Sequence, residues 1–481
     1  NEGHCAFLAL ELVREHVAAG KTLASAIELV RPVSVFTTHT PVPAGHDRFG
    51  RTLVEGRLTW LADALGIDTE DLMTMGRVGE GGITLSIAEP GEIDLLRAPP
   101  GDTLVEMPAI TPADLGIDED EVHDDPDAPS THVESEPLCM TVLALRLCEK
   151  ANGVSMVHGE VSRQMWAGMW PDLAPSDVPI GHVTNGIHIP TWMHGTAREH
   201  LEPHLPADWL TRRADPELWL DLAHSLDDAQ IWAMRNALRG NLLAFIQERA
   251  QRRADRLGAG APVPKFTPDA LTIGFARRFA TYKRATLLFR DMERVIELIT
   301  HTERPVQLVF AGKAHPMDTG GQALIAQLVE LASDKRLEGR VCILEDYDMV
   351  MGRALVSGVD VWLNNPRKPR EASGTSGQKV AMHGGLNLSV LDGWWPEGFD
   401  GVNGFAIGDA TAPVDPVAQD DRDARALYDA LEKQVIPLYF DRGEDGIPHR
   451  WVRRVRHAMA SLVGRFSTMR MVSDYADNFY R

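Results

Sequence analysis

Apolar side chains recur at helical spacing from 5 to 19, with Phe7, Leu8, Leu10, Leu12, Val13 and Val17 in register and Gly20 stopping the run, which predicts a helix. Residues 33–36 read as a short buried strand that empties into Thr37-Thr-His-Thr-Pro41, and a second helix is predicted over about 53–65. Further on, 140–150 reads as a helix, 180–189 as a strand and turn, and 227–257 as a long helix rich in Arg and Gln. After a Gly/Pro-rich connection at 258–268 the pattern alternates. Strands at 271–275, 306–311, 341–344, 359–363 and 386–391 are separated by helices at 283–299, 320–332, 350–356 and 375–383. Apolar strands alternating with helices predict a parallel, doubly wound sheet. A final helical segment covers 451–480. Two α/β units follow, with a boundary near residue 185 and a first unit shorter than a complete doubly wound domain.

Composition changes this picture little. The 481 residues carry 48 basic and 69 acidic side chains, 48 − 69 = −21, which argues against a nucleic-acid binder of the simple electrostatic kind. Ten of the acids fall in 114–136, a stretch without period that reads as a solvated loop and lacks the ligand order of a calcium loop. The four cysteines form no C-x-x-C pair, so no metal site or disulfide framework is expected and a cytoplasmic setting fits. No apolar run approaches the ~20 residues of a membrane helix.

Two clusters carry candidate chemistry. Glu371-Ala-Ser-Gly-Thr-Ser-Gly-Gln-Lys379 follows a predicted strand and opens a helix. Its small residues permit close backbone approach, and free N–H groups at a helix start favour an anion, so the run reads as a phosphate cradle. Lys379, at its end, is either a counter-charge, the commoner case, or the amine that forms a Schiff base with pyridoxal phosphate. Arg277-Arg-Phe-Ala-Thr-Tyr-Lys-Arg284 places four cations in eight residues at another strand end. Forked Arg contacts and a Lys point charge suit phosphate, although a solvated helix start is the blander reading. His39 and Asn185 lie in loops after strands and suit sugar hydroxyls or simple loop capping; His158 reads as structural.

These motifs, in order with Val183-Thr-Asn-Gly-Ile187, Thr38-His-Thr40 and Leu391-Asp-Gly393, resemble the α-glucan (glycogen, starch, maltodextrin) phosphorylases, and most closely their shorter bacterial and archaeal branch. The resemblance implies a GT-B fold, α/β with two Rossmann-like doubly wound domains facing a cleft. The expected division is 1–185 for an incomplete amino-terminal glucan-binding domain, 186–455 for the cofactor domain and 456–481 for a C-terminal helix. It implies phosphorolysis of α-1,4-glucan to glucose 1-phosphate with retained configuration, the cofactor's phosphate acting as proton donor to orthophosphate. By position, Lys379 would hold the aldehyde of pyridoxal 5'-phosphate. Gly374, Thr375, Ser376, Gly377 and Arg277 would grip its phosphate, and Tyr347 would line the same site. Arg278 and Lys283 would bind the attacking orthophosphate; Glu371, Ser373, Asn185 and His39 would hold the terminal glucose, His39 nearest its anomeric centre.

Departures from the larger animal-type pattern are Gly377-Gln378 before the lysine and Asp348 after Tyr347. Family members begin upstream of Asn1-Glu-Gly-His4 with a glycine-rich loop over the phosphates, so the chain is expected to be a carboxyl-terminal portion with weak or no turnover. A homodimer is common in the family. The alternatives are a nucleotide-sugar-dependent glycogen or starch synthase, which the cofactor lysine contradicts, and a catalytically silent glucan-binding fragment.

Overall fold

The computed structural model describes residues 1–42, 45–78, 136–258, 263–409 and 415–480. The acidic stretch at 114–136 lies outside them except for its last residue. The described chain is mixed α/β with parallel sheets, in two compact units: Asn1–Val183 with the chain from Tyr475 onward, and Thr184–Asp409 with the chain up to Asp474. Among the described residues no helix is long and apolar enough to cross a membrane, and the four cysteines are free.

In the first unit the strands are β1 (Val35–Thr37), β2 (Arg48–Phe49), β3 (Leu138–Cys139), β4 (Lys150–Gly153) and β5 (Ile180–His182). β1, β4 and β5 form a parallel sheet with β4 central, and β2 pairs antiparallel with β3. β4 was not legible in the pattern: the helix predicted to run to 150 stops at Leu147. The Glu149 N–H donates to the Arg31 and Ser34 carbonyls (3.1 and 3.2 Å), so a non-local pairing pulls a sequence without β-branched residues into the sheet. Asn152 then organises the interior. Its side-chain oxygen accepts from the Thr37 hydroxyl (2.9 Å) and its amide donates to the Tyr475 hydroxyl (2.9 Å), which fixes the end of β1 just ahead of His39.

The second unit contains β6 (Leu271–Ala276), β7 (Val306–Ala311), β8 (Val341–Leu344), β9 (Val361–Asn364), β10 (Leu386–Val390) and β11 (Phe405–Ile407). They form one sheet in the order β8-β7-β6-β9-β10-β11, every neighbouring pair parallel. The chain builds outward from β6 through β7 and β8, then returns to add β9, β10 and β11 on the other side. Loops leaving the carboxyl ends of β6 and β9 therefore diverge, and a crevice opens between them. Both strands are buried along their whole length, in line with their near-continuous apolar sequences.

Three predicted helices differ. The helix expected over 283–299 begins only at Met292, capped by the Asp291 side chain. Arg284 is held in the left-handed region (φ 51°) because its guanidinium is bound to the Asn365 and Pro366 carbonyls and to Asp420 and Asp423. The helix expected over 375–383 is a four-residue turn, Thr375–Gln378, followed by the 3₁₀ turn Ala381–His383. The terminal segment is two helices, His449–Leu462 and Thr468–Asn478.

A buried ion cluster joins β6 to β9. The Asp360 carboxylate, with no exposed surface, accepts from Arg239 (2.7 to 3.2 Å), from Arg235 (3.2 Å) and from the Thr272 N–H (3.0 Å). Burial alone would raise its pKa, but the two guanidiniums more than offset this and hold it ionised. Arg235 also donates to the carbonyls of Ser357, Gly358, Val359 and His383 (2.6 to 3.0 Å). Removing one partner strands a buried charge. Asp360→Ala is expected to destabilise the second unit by about 3 to 5 kcal/mol, read as a lowered urea midpoint; a midpoint within experimental error of the unsubstituted chain would show that the charges are not uncompensated.

Candidate active site

Arg277 follows directly on β6. Its N–H donates to the Ala311 carbonyl (3.1 Å), and its own carbonyl lies so close to Gly312 that a Cβ there would sit 2.0 Å away, so the position admits only glycine. The guanidinium reaches across to the end of β9 and donates to the Asn364 side chain and to the Glu371 carboxylate. Lys283 lies 3.5 Å from both Glu371 oxygens. The three groups form a nearly dry cluster at the crevice between β6 and β9. Burial pushes the Lys283 amine down to about 8, with the like charge of Arg277 adding and Glu371 opposing. Burial would raise the Glu371 carboxyl, but Arg277 and Lys283 hold it below the ordinary carboxylate range. Arg278 is exposed, and among the described residues it has no ion pair.

The run 371–379 is clamped to the end of β10. The Glu371 N–H donates to Asp392 (2.9 Å), the Trp394 N–H donates to the Ser373 carbonyl (2.9 Å), and Gly393 sits in the left-handed region (φ 59°), where a Cβ would lie 2.4 Å from that carbonyl. Gly374, also left-handed (φ 85°), turns the chain into Thr375–Gln378, and no side chain caps the N–H groups at that start. At Gly377 a Cβ would meet the Asn387 side chain at 2.5 Å. The Ser373 hydroxyl is buried and finds no protein partner. Gln378, read above as a departure, donates to the Asn185 carbonyl (2.8 Å) and so ties the Asn185 loop to the run.

Lys379 is half-buried, its ammonium 4.0 Å from the centre of the Trp192 ring, and among the described residues no carboxylate lies within ion-pair distance of it. Burial lowers its pKa to about 8, which makes the free amine accessible near neutrality. Tyr347 is half-buried with its phenol raised by burial, and its hydroxyl faces Gly352, where a Cβ would lie 2.9 Å away. Asp348 caps the helix Met349–Gly358. The structure therefore brings Arg277, Lys283 and Glu371 into contact and joins Glu371 through Gly377 to Lys379 along one clamped segment. Among the described residues Arg278, Thr375, Ser376 and Tyr347 make no hydrogen bond or ion pair to that cluster. His39 belongs to the first unit, half-buried, 3.1 Å from the Asn1 side chain and lowered in pKa by burial. His158, also in that unit, accepts the Val154 N–H (3.1 Å), in keeping with a structural role. Sequence reasoning missed Asn364, which only the strand order places opposite Arg277, and Trp192, which no local pattern marks.

The carbohydrate phosphorylase family model matches residues 128–433. The chain belongs to the carbohydrate phosphorylase family. It is 40% identical over 486 residues to a glycogen phosphorylase of Mycobacterium tuberculosis, 35% identical over 485 residues to a glycogen phosphorylase of Aquifex aeolicus, and 34% identical over 480 residues to a maltodextrin phosphorylase of Thermococcus litoralis. Each alignment covers all of this chain, but 50%, 62% and 50% of the respective relative. The chain thus spans about half the length of the curated relatives it matches.

Within this family member, Asp392 is a fully buried carboxyl raised to about 7, by burial first and by the Glu371 charge, against the N–H groups of Glu371 and Gly393. A folded-state pKa above the unfolded value of about 3.9 means that its contribution to stability is complete below pH ~4 and is lost as pH rises towards 7, by up to about 1.4 kcal/mol per unit. Asp392→Asn removes that titration. The difference in melting temperature between variant and unsubstituted protein is expected to move in the variant's favour from pH 5 to pH 8; a difference independent of pH would show that Asp392 is not held protonated by its surroundings.

Proposed function

We propose that the chain carries the phosphate-handling and cofactor-holding part of an α-glucan phosphorylase, which cleaves the terminal α-1,4 bond of a glucan with orthophosphate to give glucose 1-phosphate with retained configuration. The observation that carries this reading is Lys379: a half-buried amine with a lowered pKa and, among the described residues, no carboxylate partner, at the end of a glycine-rich turn that no side chain caps. Such an arrangement suits a ligand that bears both an aldehyde and a phosphate. The local donors fit pyridoxal 5'-phosphate: the N–H groups at the Thr375 start of the turn, which no side chain caps, the Ser373 hydroxyl, unpartnered among the described residues, and Arg277 at the same strand ends. When bound, this cofactor supplies an acidic phosphate oxygen beside the attacking orthophosphate.

Two phosphate groups in near contact repel. Two unit charges ~4 Å apart cost about 4 kcal/mol at an effective dielectric of 20, and the cations Arg277, Arg278 and Lys283 are assigned to offset that cost. Among the described residues Glu371 is the one ion-pair partner of Arg277 and Lys283, so it occupies the electrostatic role that an arriving anion would share. Once the cations turn to phosphate, the Glu371 carboxylate becomes available to accept a glucose hydroxyl, with Ser373 and Asn185 assigned as donors to the same sugar. The same reading takes the two units as the Rossmann-like domains of a GT-B enzyme; the order β8-β7-β6-β9-β10-β11 in the second unit supports it.

Incubation with pyridoxal phosphate followed by borohydride is expected to leave one covalent adduct, mapped to Lys379 by mass spectrometry and absent in Lys379→Ala; an adduct elsewhere, or none, would overturn the reading. On the whole gene product, release of glucose 1-phosphate from maltodextrin is expected to fall about 10²-fold or more in kcat/KM for phosphate on Lys283→Ala or Arg278→Ala.

A further inference from the structure

We infer that His383 is a positioning residue for Lys379, acting through the lysine's backbone carbonyl and through the turn that carries Trp192. The inference rests on the reading of Lys379 as the cofactor amine, but its geometry is independent of any cofactor. His383 is completely buried. Its Nδ1 lies 2.9 Å from the Lys379 carbonyl oxygen, and its Nε2 lies 3.0 Å from the backbone N of His194. A carbonyl only accepts and a backbone N–H only donates, so both bonds together require a neutral ring with its proton on Nδ1. Burial, which pushes the ring pKa down to about 3, keeps it neutral.

Each bond orients one side of the lysine's surroundings. The first caps the carbonyl at the end of the short turn Thr375–Gln378. The second pins His194, two residues after Trp192, whose ring faces the Lys379 ammonium. His383 is itself anchored: its carbonyl accepts from Arg235 (2.8 Å), and at Gly384, left-handed at φ 72°, a Cβ would meet the Arg235 side chain at 2.8 Å. A hydrogen-bonded path thus runs from Asp360 through Arg235 and His383 to Lys379. The charged and titratable groups facing His383 are Arg235 and His194; Lys379 itself feels burial as the cause of its shift, with no neighbouring charge.

The two bonds can be separated chemically. An Asn side chain reproduces the Nδ1 position and a Gln side chain the Nε2 position. The probe is acetic anhydride, with Lys379 acylation followed against pH by peptide mass spectrometry on the chain without cofactor. His383→Asn, which frees the His194 N–H, and His383→Gln, which frees the Lys379 carbonyl, are each expected to move the midpoint up from about pH 8 towards the ordinary lysine value of about 10.4, and His383→Leu, which loses both bonds, to move it further than either. A midpoint unmoved in both single-bond variants, or moved as far in either as in His383→Leu, would reduce His383 to a packing residue and overturn the inference. Should neither variant fold, nitrogen NMR of the histidine rings in the unsubstituted chain decides: a neutral Nδ1–H ring at pH 6 whose signals move on Lys379→Ala is expected, and an Nε2–H or charged ring overturns it. Because the labelling uses no cofactor, failure of pyridoxal phosphate to reach Lys379 would sink the functional reading without touching this one.

Discussion

The second unit depends on one buried charge. Asp360 stands at the entrance to β9, beside β6, where the chain reverses the direction in which it adds strands. A carboxylate without exposed surface is tolerable only if its partners are equally fixed, and Arg235 and Arg239 satisfy that from a single helix, Asp228–Leu257. The same two guanidiniums also donate to backbone carbonyls, although the Arg235 Nε has no partner among the described residues. A helix, two central strands and the His383 turn are thereby held in one register.

At the carboxyl ends of those strands the electrostatic logic differs. Arg277, Lys283 and Glu371 are also buried, and here too two cations share one carboxylate, but Lys283 reaches it only at 3.5 Å. Near Lys379 the imbalance is greater, a lysine with no carboxylate within ion-pair distance among the described residues. Around Asp360 the surplus positive charge is met by backbone carbonyls, whereas among the described residues Lys283 has only Glu371 and Lys379 has no such acceptor. In a chain of net charge −21 such a local excess is informative, because desolvated cations without partners cost stability unless a ligand supplies the anion.

How much of this was legible varies by element. β6, β7 and β8 are near-continuous apolar runs, and their alternation with helices showed in the pattern of residues alone. β4 was missed because Lys150-Ala-Asn-Gly153 has no strand propensity and is held by Arg31 and Ser34, more than a hundred residues earlier. The helix expected from 283 was missed because Arg284 takes a left-handed conformation to satisfy carbonyls and carboxylates far along the chain. In the candidate site, the run 371–379 and the cations at 277–284 were visible as local compositions. Trp192, Asn364, Asp392's raised pKa and His383's bridging bonds were not, since each exists only through a partner distant in sequence.

What sequence by itself determined was the chemistry available and the class of fold, because hydrophobic period and the glycine-rich run are local properties. Only the tertiary structure decided which charges are answered and which are left over. That difference arises from burial and distance: a lysine's pKa, a serine hydroxyl's missing partner and the tautomer of a histidine depend on what the fold brings within a few ångströms and on how much water it shuts out.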